Sequence, residues 1–252
     1  MIPFFRKIRK KMADDNRPLK YMRYAIGEIV LVVIGILIAL QINTWNEERK
    51  VKIEEQKILK DLRVEIASNI KLLEGVTEYH QLGLKHALIL QDYMWYPEKL
   101  SEISGDSILR LTFNLVGKIY YPEKGILNSA LTSGQINSIE NKNLKYLLAS
   151  LNDLTLEKME LSNIIFKDGK DYLFKLAYPK VVSIGIDNVY NSYDHDMYKH
   201  IDYRNLYKVP EFIVALNGYF VGNREQAITY EMELKKIYEE VLVLIDHEIK
   251  LE

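Results

Sequence analysis

Residues 24–43 read YAIGEIVLVVIGILIALQIN, and this stretch decides the architecture. From Ile29 to Leu40 every residue is apolar or glycine. At about 1.5 Å of rise per helical residue, a run of about 20 residues crosses a hydrocarbon core about 30 Å thick. The buried helix of a soluble core and a cleaved signal peptide are the competing accounts. A signal peptide needs small residues at its cleavage site, and Ala39-Leu40-Gln41-Ile42 makes a poor one. The stretch is therefore expected to be a single transmembrane helix, over residues 21–44.

The flanks give that helix a direction. Arg6, Lys7, Arg9, Lys10 and Lys11, followed by Arg17, Lys20 and Arg23, crowd the N-terminal side against Asp14 and Asp15. The far flank, Trp45-Asn46-Glu47-Glu48-Arg49-Lys50, is mixed. Cationic flanks stay in the cytoplasm and aromatic residues favour the membrane interface. The N-terminus is thus expected inside, Trp45 at the outer interface, and residues 45–252 outside the cytoplasm, in the periplasm of a bacterium with two membranes. Ile2, Phe5, Ile8 and Met12 share one helical face of residues 1–20. With the lysines and arginines between them, they suit a basic amphipathic arm lying on the anionic inner leaflet, besides setting topology.

Within the span, Glu28, Val32, Gly35, Ala39 and Ile42 recur at three- and four-residue steps and share one stripe. Small residues let helix backbones approach closely in lipid, so the stripe is a candidate helix–helix contact face. Glu28 has two accounts: its carboxylate snorkels to the cytoplasmic interface, or it meets a partner helix as a buried contact or proton site.

The run from Tyr24 to Asn43, with Trp45-Asn46-Glu47 after it and Phe4-Phe5-Arg6-Lys7-Ile8-Arg9 before it, resembles the opening of an uncharacterised Bacteroidota family, a domain of unknown function numbered 6090. Leu127 to Gly134, then Ile139-Glu140-Asn141 with Leu144 and Leu148, resemble its middle. The resemblance implies a Gram-negative inner-membrane protein with a periplasmic domain. It supplies no activity and no catalytic residues.

Beyond Trp45 the periodicity is helical. No glycine occurs until Gly75 and no proline until Pro97, while Ile58, Leu59, Leu62, Ile66, Ile70, Leu73 and Val76 form one apolar face. This predicts an amphipathic helix continuous with the span. Asn69 falls on its seam, where a polar residue sets register in a coiled coil or packs within a bundle. Further on, Asp106 is expected to cap a short helix through Val116, Pro122 to open one stopping at Gly134, and Asn141 to precede a long helix. That helix should run past Gly169 to about Ala177, before Pro179, and a last one should start near Pro210. The fold class is all-α, a periplasmic helical bundle over 45–252 with an irregular polar loop at about 180–209. Within the loop, Val181-Val182-Ser183-Ile184 offers a strand fragment.

Composition limits the chemistry. There are no cysteines, so thiolate catalysis, disulfides and cysteine-bound metals are excluded. A net charge of -1 gives no reason to expect nucleic acid as a partner. Asp194, His195, Asp196 and His200 bring metal-type ligands together, but their spacing matches no established motif and Lys199 competes, so a solvated loop is the simpler account. His80, His86 and His247 stand alone on helices and are expected as surface or core residues. Of eighteen tyrosines, Tyr93, Tyr96, Tyr120 and Tyr121 gather with Trp95 near the turns; such residues suit interfaces and carbohydrate-facing surfaces, and the rim of a bundle is the expectation here.

No cofactor and no catalytic residue is expected. The function expected is a membrane-tethered interaction or scaffolding protein that contacts the lipid bilayer and assembles with itself or with another inner-membrane or periplasmic protein. The alternatives are a sensor or energised-complex subunit acting through Glu28, and a metal-dependent enzyme using the 187–202 loop.

Overall fold

The computed structural model describes residues 18–182 and 201–249, and every regular element among them is helical. The chain divides into two compact units, Met1–Glu55 and Gln56–Glu252. One helix, α1, spans Pro18–Trp95 and so contributes to both. Its early part is apolar all round: Ile29, Leu31, Val32, Leu37 and Leu40 are all exposed. A helix without a polar face needs an apolar surrounding on every side. Among the described residues α1 is the one helix long and apolar enough to cross a membrane.

In the second unit α1 acquires the amphipathic pattern expected of it. Leu59, Leu62, Ile66 and Leu73 are fully buried, and Ala87 and Leu90 continue the buried face further along. The helix stops at Trp95 because Pro97 disfavours helical geometry at Tyr96. Pro97 then opens the short α2, Pro97–Glu102.

Two helix starts differ from the sequence expectation, and the first of these helices ends at Thr112 rather than Val116. Helix α3, Gly105–Thr112, is capped by Ser104, whose hydroxyl accepts the Ser107 N–H at 3.2 Å. Asp106 lies inside its first turn, where the carboxylate complements the helix dipole without capping. Helix α4 is Gly125–Ser133, so Pro122 precedes it without opening it; Gly134, at φ +79°, ends it as expected. Helix α5, Lys142–Ile164, begins as expected, with the Asn141 side chain accepting the Leu144 N–H at 3.0 Å.

Pro179 does not end the long helix that follows. Two π-helical stretches, Ile165–Gly169 and Tyr172–Ala177, carry the chain onward, and residues 178–182 are helical. Proline removes one ladder donor, and the widened turns before it absorb the interruption. Val181 and Val182 are therefore helical, and Ser183 and Ile184, the rest of the expected strand fragment, lie outside the described residues. Of the expected loop at about 180–209, residues 183–200 lie outside the described residues, and Tyr203–Lys208 forms a 3-10 helix. Pro210 opens α6, Pro210–Val214, which passes through a π-helical stretch, Ala215–Gly222, into α7, Asn223–Glu248.

The second unit has two apolar cores. One gathers Leu59, Leu62, Ile66 and Leu73 of α1 with Leu144, Leu148 and Leu151 of α5 and Leu234, Val241 and Ile245 of α7. The other joins Ala87 and Leu90 to Ile108, Leu115, Leu173, Leu206, Phe212, Leu216 and Phe220. Arg63 of α1 meets Asp246 of α7 at 2.6 Å and Glu74 meets Lys235 at 2.7 Å, so these two helices run antiparallel.

Candidate functional site

Between the two cores the three long helices place polar side chains where apolar ones would continue the packing. His80 stands on α1 between Leu73 and Ala87, Ser162 on α5 before Ile165, and Glu231 on α7 between Ala227 and Leu234. Arg224 lies two turns before Glu231. Their exposures are 1% for His80 and Arg224, 4% for Ser162 and 0% for Glu231. Charged residues this deeply buried require partners.

The partners are internal. His80 Nδ1 lies 2.6 Å from Glu231 Oε1, and the Ser162 hydroxyl donates to the same oxygen. His80 Nε2 lies 3.0 Å from the Lys118 nitrogen and 2.9 Å from the Lys118 carbonyl oxygen. The ring proton therefore decides which backbone group is bonded: an unprotonated Nε2 accepts the N–H, whereas a protonated one donates to the carbonyl. The Arg224 Nη2 donates to the Leu115 carbonyl. Burial pushes the Arg224 guanidinium down to about 10, which leaves it charged at neutral pH, and the Glu231 carboxylate supplies the opposing charge. Among the described residues Arg224 Nε and Glu231 Oε2 have no hydrogen-bond partner.

These contacts hold residues 113–118, the turn after α3, against α1. Tyr79 donates its hydroxyl proton to Asn114 Oδ1 at 2.9 Å, and Lys118 Nζ sits 4.5 Å from the Tyr79 ring centre. Gly117 has φ +88°, and a Cβ there would stand 2.7 Å from Arg224 Nη1 and 2.8 Å from His80 Nε2. At Gly83 a Cβ would meet the Asn114 carbonyl oxygen at 2.6 Å. Both glycines let backbone come into direct contact with its neighbours.

A second polar clamp works the same way. Glu65 and Asn69 lie one turn apart on α1 and are 4% and 2% exposed. Asn69 accepts the Glu123 N–H and donates to the Glu123 carbonyl, both at 2.7 Å. Glu65 accepts the N–H of Ile126 at 2.6 Å and of Leu127 at 3.0 Å. Those are orphan donors in the first turn of α4, which Lys124 at the N-cap position leaves uncapped. Asn69 thus anchors a loop within one chain instead of setting a coiled-coil register. Glu65→Ala is expected to cost about 2 kcal/mol by stranding two donors, a fall of about 4–8 °C in thermal unfolding of the full chain in mild detergent. A shift below 1 °C would show that the clamp carries no stability.

The chemistry available at the His80 junction is structural. Its histidine is bonded at both nitrogens, Ser162 bonds the Glu231 carboxylate, and all three side chains are buried, so the contacts serve to hold the helices and the turn together. Tyr120 is also drawn inside rather than to a rim: its hydroxyl donates to the Asn69 carbonyl at 3.2 Å, and burial raises its pKa. By contrast Trp95 and Tyr121 are exposed.

Of the residues singled out from the sequence, Val32, Gly35, Ala39 and Ile42 are exposed on α1, Glu28 is half-buried, and Trp45 is exposed. Nothing lies within 4 Å of a Cβ built at Gly35. Arg6, Lys7, Arg9, Lys10 and Lys11 lie outside the described residues, as do Asp194, His195, Asp196 and His200. Among the described residues no group of three or more acidic or histidine side chains is placed to hold a metal ion. His80, read from the sequence as a lone core or surface histidine, is a core residue with two committed nitrogens. Its partners lie 38 and 151 residues away, a separation that no local pattern marks.

Fold and sites together define an all-helical protein with one apolar helix near its N-terminus and polar clamps built into its second unit. The chain belongs to a family of unknown function (DUF6090), which it matches over residues 28–172, more than half its length. No curated protein and no solved structure matches it.

Proposed function

We propose that this protein is a membrane-tethered interaction or scaffolding protein that assembles with itself or with another membrane protein. It sits in the inner membrane of a Bacteroidota cell, with the N-terminus cytoplasmic and residues 45–252 periplasmic. The observation that supports the reading is the stripe of Val32, Gly35, Ala39 and Ile42, exposed like the rest of the span, whose small residues let a neighbouring helix pack closely. The basic residues before the span and Trp45 after it support the orientation.

Oligomeric state tests the assembly. Crosslinking and native mass spectrometry in mild detergent are expected to give a dimer or a complex with a second protein. Gly35→Ile with Ala39→Ile should weaken that association by about tenfold or more, because bulk on the stripe removes about 1.4 kcal/mol or more of close packing. A strictly monomeric chain with no co-purifying protein refutes the proposal.

The absence of cysteine makes the topology test clean, since an introduced thiol is the sole target. A membrane-impermeant maleimide should label Lys236→Cys in intact spheroplasts and leave Arg9→Cys unlabelled. The opposite pattern reverses the orientation.

A second reading, a sensor or energised-complex subunit, draws on the continuity of α1. One helix carries both Glu28 and the core residues Leu59, Leu62 and Ile66. Glu28→Gln abolishes function if the carboxylate's proton matters, and leaves it intact if the side chain only snorkels.

A further inference from the structure

We draw no further inference here: the strongest candidate, the apolar trough of about 720 Å³ between residues 81–93 of α1 and residues 225–229 of α7, has rim charges that balance, Lys85 and Lys99 against Asp92 and Glu225, and nothing in the structure shows what covers it.

Discussion

Gly117→Ala is expected to destabilise the second unit by about 2–5 kcal/mol, the sum of two costs that arise at one atom. A left-handed backbone costs an L-residue about 1–2 kcal/mol. Forcing a methyl group into filled space costs about 1–3 kcal/mol more. Here the space is filled by Arg224 Nη1 and His80 Nε2, at 2.7 and 2.8 Å from the new Cβ. Neither can retreat freely, because Arg224 holds the Leu115 carbonyl and His80 is bonded at both nitrogens. Thermal unfolding of the full chain in mild detergent should fall by about 10 °C, taking about 2–4 °C per kcal/mol. Gly134→Ala is the control, since Gly134 also has positive φ but its nearest neighbour, Asn137 Nδ2, is 3.7 Å from the Cβ. That variant should lose only about 1 kcal/mol. Equal losses at the two positions would mean that the turn is not pressed against His80 and Arg224.

The second large effect is expected at Glu231. Its Oε1 accepts from both His80 and Ser162, and its charge opposes that of Arg224 in a site closed to solvent. Glu231→Ala strands those donors and leaves the guanidinium uncompensated, with an expected loss of about 3–5 kcal/mol. Glu231→Gln separates the two contributions, because an amide oxygen still accepts both hydrogen bonds while the charge is gone. A loss near that of Ala assigns the effect to the buried charge; a loss near 1 kcal/mol assigns it to the hydrogen bonds. A shift below about 1 kcal/mol in both variants would remove the junction from any part in holding the fold.

Both predictions concern a feature that joins the two cores. Continuous apolar packing would tolerate sliding of α1 against α7, since leucine contacts are non-directional. The His80–Glu231 bond, at 2.6 Å, and the Arg224–Leu115 bond are directional. They admit one register of the helices and one position of the turn. The Glu65 and Asn69 clamps do the same for the segment before α4.

Much of the helical scaffold was legible from pattern alone. A helix start shows in the sequence when its cap is local: Asn141 accepts from Leu144 three residues on. A glycine stop is equally local, as at Gly134. The expectation failed at α4, whose first turn is capped by Glu65 from 61 residues away, while the nearby Pro122 suggested an earlier start. It failed again at Pro179, where π-helical turns before the proline let the chain continue as a helix. His80 looked solitary for the same reason.

What the sequence determined by itself is the apolar helix at residues 24–43, the amphipathic face that follows it, and the all-helical class. These depend on composition and on a period of 3.6 residues, which neighbours in the chain express on their own. Only the tertiary structure decided where the buried charges meet: His80 with Glu231 and Lys118, Arg224 with Leu115, and Glu65 with the start of α4. A buried polar group is stable only when a partner reaches it, and here the partners arrive from other helices and turns.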